Sequence, residues 1–166
     1  MKKFVDLLEI IQSVFSVILF IALVIIVFLQ VASRFILHNP IVWSEEVARF
    51  LLFWVTLMGA SLSVKNKRHF TIEFFTLEKI KNETIKRIFQ IIPDLCITLF
   101  ALFMIVVGYR YCQIGSLRVG PSSNINMLYI YMAIPLAGVT MVIYCLYHIF
   151  QLVNSWKSHI ETKSKI

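Results

Sequence analysis

Four apolar stretches limit what this chain can fold into. They cover about residues 14–31, 47–64, 88–109 and 127–153 of a sequence of 166 residues. An α-helix of about 20 residues crosses the hydrocarbon core of a bilayer, and each stretch has about that length. None shows the alternating pattern of a membrane β-barrel strand, and helices satisfy their own backbone hydrogen bonds in lipid. The sequence therefore predicts an all-α membrane protein, with four transmembrane helices in a single membrane domain over residues 1–166.

Composition excludes the soluble classes of protein. Hydrophobic residues make up 59% of the chain and charged residues only 15%, whereas a soluble domain carries about 25% charged residues. The three cysteines, Cys96, Cys112 and Cys145, form no CxxC pair and no metal-ligand spacing, so we expect no cofactor and no metal. The net charge of +7 would suggest nucleic acid in a soluble protein. Here it is better explained by membrane topology, and we expect no nucleic-acid partner.

Basic residues predict the direction of the four spans. Twelve of the 16 Lys and Arg residues lie in the N-terminus, the tail and the segment between the second and third spans. The positive-inside rule then places both termini in the cytoplasm. Residues 69–87 become a short cytoplasmic connection, in which apolar and charged residues interleave. This connection is predicted either to be amphipathic and to lie at the membrane surface, or to be an irregular loop with one or two helical turns.

Charged residues cluster where the first span ends and the second begins. Asn and Pro at 39–40 are typical of a helix start. In that helix Glu45 and Arg49 are four residues apart, and Glu46 and Arg49 are three apart, so the side chains are neighbours. Arg34 ends the previous span and can reach the same carboxylates. The sequence thus predicts a compact polar cluster at the outer boundary of the membrane.

Three interpretations of this cluster stay open. It is a set of charges solvated at the membrane boundary, a polar contact with another membrane subunit, or a substrate or proton site. Paired glutamates suit acid–base chemistry, but no catalytic Ser, His or metal ligand stands at a recognisable spacing from them. Trp43, just before the cluster, fits either an interfacial aromatic belt or a packing anchor for a partner.

A basic segment follows the second span. It consists of Lys65, Lys67, Arg68 and His69, with Glu73 four residues after the histidine. Such a segment is typical of a cytoplasmic patch that contacts lipid headgroups. His69 and Glu73 are spaced to form a pair on one helix face.

Few polar groups lie within the spans. Residues 59–61, Gly-Ala-Ser, offer a small-residue face for close helix contact, either inside the chain or with a partner. Asp94 lies about six residues into the third span and is predicted to face the bundle, to reach toward the cytoplasm, or to be a functional acid.

One intramembrane acid does not make a conducting pathway, so we expect neither transport by this chain alone nor enzymatic activity. A stand-alone homodimeric transporter is the alternative, but small exporters of that kind need an acid in the first span, which lacks one.

Several motifs in order resemble one family. W-S-E-E-x-x-R occupies residues 43–49 and R-H-x-x-x-E residues 68–73, with Gln30-Val31 and Arg34-Phe35 before them, Gly59-Ala60 between them and Pro135 in the last span. With this length and four-span topology, the chain resembles the small membrane subunit of tripartite ATP-independent periplasmic (TRAP) transporters, the DctQ-like family.

The resemblance implies a structural role in a transporter and no catalysis by this chain. It implies a non-catalytic scaffold that pairs with a large membrane subunit, which holds the substrate and sodium sites. It further implies a periplasmic substrate-binding protein and sodium-driven symport of an organic acid, of the C4-dicarboxylate or sialic acid type. The implied location is the bacterial inner membrane, with membrane lipids around the complex. The polar cluster of Arg34, Trp43, Glu45, Glu46 and Arg49 would then lie at the subunit interface or serve the fold.

Overall fold

The structure, a computed structural model, describes residues 2–36, 41–74 and 83–163, and the side chains of residues 2–36, 41–65 and 92–151. Its helices are α1 (Lys2–Phe35), α2 (Val42–Phe74), α3 (Glu83–Gly115), the short α4 (Leu128–Tyr131) and α5 (Ala133–Lys163). Four apolar segments are long enough to cross a membrane: Lys2–Phe35, Val42–Lys65, Ile92–Gly115 and Leu128–Gln151. The prediction of an all-helical membrane protein with four spans is confirmed.

The helices extend beyond the apolar stretches. Residues 69–74 continue α2 and residues 83–87 begin α3, so both ends of the predicted connection are helical. Its centre, residues 75–82, and the predicted helix start at 39–40 lie outside the described residues. Hydropathy marks only the part of a helix that lipid surrounds, which is why the sequence predicted shorter elements.

The long helices lie in an open row. In this row α5 packs against α3 on one side and α2 on the other, and α1 packs mainly against α2. The helices α1 and α3 therefore form the two edges, unlike the helices of a closed four-helix bundle. As a result α1 buries few side chains, namely those of Val5, Gln12 and Ser33.

Small residues bring α3 and α5 together. A Cβ added to Gly108 would lie 2.7 Å from Pro135 Cδ, and one added to Gly138 would lie 2.9 Å from the carbonyl oxygen of Ala101. Such short separations leave no room for a side chain at either glycine. The loop that follows α3, residues 116–127, and α4 contact α2 near its start, through Glu46 and Trp54.

Candidate functional site

Glu46 joins the start of α2 to the loop of residues 116–127. Its side chain is buried, with 5% of the residue exposed. The Oε2 atom accepts hydrogen bonds from the backbone amides of Ser122, at 2.9 Å, and Ser123, at 2.8 Å. Bonds from amides to an ionised carboxylate are stronger than neutral ones. Glu46 therefore fixes the loop from inside the protein.

The loop is shaped to admit this carboxylate. Gly120 donates its backbone N–H to the Ile125 carbonyl at 2.8 Å, and Asn124 takes a left-handed conformation with φ of 55°. A Cβ on Gly120 would collide with the Glu46 carboxylate and would lie 2.8 Å from Ser123 Oγ. Glycine at this position thus leaves the space that the Glu46 carboxylate and the Ser123 hydroxyl occupy.

The other members of the predicted cluster face outward. Arg49 and Glu45 form an ion pair at 3.8 Å, and their side chains are 69% and 66% exposed. Trp43 is also exposed. Arg34 is exposed, and the described residues give it no ion pair with either glutamate. Glu46 is thus buried against the loop, whereas the other four residues of the predicted cluster are exposed.

Lys65 points into the protein and not toward lipid headgroups. Its Nζ atom lies 3.0 Å from Asp6 Oδ1 and also contacts Glu9 Oε2. Only 13% of the lysine side chain is exposed. Lys65 therefore ties α2 to α1, which corrects its assignment to the lipid-facing patch. The side chains of the other patch residues lie outside the described residues: Lys67, Arg68, His69 and Glu73.

His148 extends this contact to the two remaining long helices. Its Nε2 atom lies 3.2 Å from the carbonyl oxygen of Lys65, and its Nδ1 atom lies 3.9 Å from Asp94 Oδ1. The Asp94 side chain is mostly buried, so this acid faces α5. At this end of the row, polar groups of all four long helices meet.

Replacing Lys65 by methionine is expected to destabilise the protein by about 1–2 kcal/mol. This is less than for a fully buried ion pair, because the side chains of Asp6 and Glu9 are partly exposed. The variant leaves two carboxylates of α1 close together without a cation. Thermal unfolding of the purified chain in detergent, at low and high salt, measures this change. The matched control is Arg34→Met, which removes an exposed charge and should have little effect. Equal unfolding temperatures for the two variants would contradict the assigned role of Lys65.

A second polar network lies within the membrane spans. Gln12 Nε2 donates to Ser61 Oγ at 2.9 Å and to the Met58 carbonyl at 3.2 Å, and Tyr144 donates its hydroxyl to Gln12 Oε1 at 2.8 Å. Ser61 also bonds to Thr140, at 2.6 Å. The network joins α1, α2 and α5. Gln12 was not among the residues predicted to have a role, although an amide in an apolar helix is a signal of a polar helix contact.

Only one residue of the predicted small-residue face, residues 59–61, takes part in this network. Ser61 is fully buried within the network, whereas Gly59 and Ala60 are exposed. A Cβ added to Gly59 would meet no atom within 4 Å. Ser61 therefore contacts other helices of the chain, whereas Gly59 and Ala60 stay on the surface.

The described polar groups serve mainly to hold helices together. Among the side chains that the structure describes, no group of three His, Cys, Asp or Glu residues is placed to hold a metal ion. In the same part of the chain, Gln151 Oε1 is the buried side-chain polar atom without a hydrogen-bond partner. The arrangement can fix the positions of four helices and one loop.

Comparisons with known proteins agree with this architecture. The sequence profile of "Tripartite ATP-independent periplasmic transporters, DctQ component" matches residues 23–155. The sialic acid TRAP transporter permease protein SiaT of Haemophilus influenzae is 33% identical over 126 residues, which are 74% of this chain but 20% of SiaT. The sialic acid TRAP transporter small permease protein SiaQ of Vibrio cholerae is 27% identical over 144 residues, 87% of this chain and 82% of SiaQ.

A third relative widens the range of named substrates. The C4-dicarboxylate TRAP transporter small permease protein DctQ of Vibrio cholerae is 27% identical over 90 residues, 54% of this chain and 38% of DctQ. This chain thus spans only a fifth of SiaT and most of SiaQ. The family profile covers all four membrane helices in part or in full. The chain belongs to the DctQ family of TRAP transporter small permease subunits.

Proposed function

We infer that this chain is a non-catalytic scaffold for a large permease subunit. The observation that carries the proposal is the use of its polar side chains: Glu46, Lys65 and Gln12 each join separate elements of the same chain. A protein that moves a solute needs polar groups free to meet it. A protein that positions another subunit needs its own helices fixed in place.

The relatives support the choice of partner. A segment similar to this chain makes up a fifth of SiaT, so in that permease it is covalently joined to a much larger part. Here the larger part would be a separate large subunit, which binds the substrate. We propose sodium-driven uptake of an organic acid, of the sialic acid or C4-dicarboxylate type, delivered by a periplasmic binding protein. Both termini would face the cytoplasm, in the bacterial inner membrane.

Reconstitution tests this function. Proteoliposomes that contain the large subunit, with a sodium gradient and the binding protein outside, are compared with and without this chain. We expect uptake of labelled sialic acid or C4-dicarboxylate to fall at least about tenfold when the chain is omitted, because the large subunit then lacks the scaffold that holds it. The measurement is initial uptake rate per large subunit.

Two controls separate the scaffold from the alternative. Vesicles with this chain alone should take up nothing above the background of empty vesicles. Uptake by the chain alone would instead indicate a stand-alone transporter that acts as a homodimer. Full uptake by the large subunit alone would show that no scaffold is needed.

A further inference from the structure

One face of α2 is exposed along the whole membrane span. Six exposed residues share it, at alternating intervals of four and three, and we name them the α2 seam: Glu45, Arg49, Leu52, Thr56, Gly59 and Ser63. This alternation is the spacing of the contact positions in a coiled coil, where one helix lies along another. The buried residues Met58 and Ser61 lie on the other side of α2, where they bond to Gln12 of α1 and Ser61 also to Thr140 of α5.

The α2 seam differs in composition from the lipid-facing surface of α1. The exposed residues in the middle of α1 are large and apolar: Phe20, Ile21, Val24, Ile25 and Phe28. The seam has an ion pair, two hydroxyl residues, a glycine and one leucine. Charges are unfavourable against lipid tails, and small residues at a helix surface allow another helix to approach closely. The open space around Gly59 is available for such an approach.

We propose that the α2 seam is the surface against which a transmembrane helix of the large permease subunit packs. The proposal rests on the proposed function and specifies where the partner binds. SiaT supports this choice of occupant, because there a segment similar to this chain is joined to a larger permease part. A helix of a different sequence can place opposite charges beside Glu45 and Arg49.

A second copy of this chain fits the seam less well. Two copies inserted in the same direction would meet through a twofold axis along the membrane normal. That contact would place Arg49 beside Arg49 and Glu45 beside Glu45 at the same depth. Like charges at such short distances are unfavourable. Charge complementarity therefore favours a partner of different sequence over self-association.

Replacing Gly59 by leucine tests the seam without disturbing the chain itself. The new side chain meets no atom of the chain at its Cβ, and leucine favours a helix more than glycine does. The isolated variant should therefore unfold at the same or a higher temperature. Co-purification of the large subunit from detergent extracts should fall about tenfold, because the leucine separates the two helices. The matched control is Cys96→Leu, at an exposed small residue of α3, which should leave co-purification unchanged.

Cross-linking identifies the occupant directly. Ser63 is replaced by a photoreactive phenylalanine analogue, and membranes containing both subunits are irradiated. An adduct with the large subunit supports the proposal, whereas an adduct between two copies, or with lipid alone, overturns it. Normal co-purification of Gly59→Leu would also overturn it, but would leave the scaffold function standing. If the unmodified chain itself fails to co-purify with the large subunit, the proposed function is refuted as well.

Discussion

Replacing Glu46 by alanine is expected to lower the free energy of unfolding by about 3 kcal/mol. The variant leaves the amides of Ser122 and Ser123 without their charged acceptor in a partly buried loop. Each hydrogen bond to a charged group contributes about 1.5–3 kcal/mol. For a chain of this size the thermal midpoint should fall by about 8 °C. Thermal unfolding of the purified protein in detergent measures this shift.

The adjacent residue supplies the control. Glu45→Ala removes the same carboxylate from an exposed ion pair, which contributes at most about 0.5 kcal/mol. Faster hydrogen exchange at Ser122 and Ser123 should accompany Glu46→Ala only. If both variants unfold at the same temperature, Glu46 does not hold the loop.

The second large effect is expected at Gln12, within the membrane. Gln12→Leu removes the hydrogen-bond partner of Tyr144 at a contact between three helices. It also removes one partner of Ser61, whose hydroxyl keeps its bond to Thr140. Hydrogen bonds between membrane helices contribute about 0.6 kcal/mol on average and up to about 1.7. Because the bonds to Met58, Ser61 and Tyr144 are lost together, we expect destabilisation of about 2 kcal/mol. Unfolding of the chain in mixed micelles by increasing amounts of a denaturing detergent gives this value.

Gln30 in the same helix is the matched control. It is less buried than Gln12, and among the described side chains its amide has no hydrogen-bond partner. Gln30→Leu should therefore be neutral or stabilising. Combined with Tyr144→Phe, Gln12→Leu should destabilise by less than the sum of the single variants, because both remove the same bond. Full additivity would contradict the direct bond between the two side chains.

The four spans were predictable because hydropathy reports a local property, the solvation of each residue by lipid. The proximity of Glu45 and Arg49 was also predictable from local information, because the spacing of four residues in a helix places them together. Which of two adjacent glutamates turns inward was not predictable. Glu45 and Glu46 differ by about 100° around one helix, and only the position of the 116–127 loop decides between them.

Contacts between distant residues account for the rest of what the sequence did not reveal. Lys65 was predicted to face lipid because it belongs to a basic run, yet Asp6 and Glu9 lie opposite it in the folded chain. Tyr144 and Gln12 are 132 positions apart, and no local pattern joins them. To predict such pairs one must know the order of the helices in the row, and neither composition nor periodicity reveals that order.

The long helices also give the protein unequal heights on its two sides. Beyond the apolar segments that end at Lys65 and begin at Ile92, α2 continues to Phe74 and α3 starts back at Glu83. At about 1.5 Å per residue these extensions reach roughly 13 Å past the apolar segments, and α5 continues past Gln151 on the same side. Among the described residues, the opposite side carries the short loop held by Glu46. A protein that approaches the chain from the side of Lys65 would therefore first meet the projecting ends of these helices.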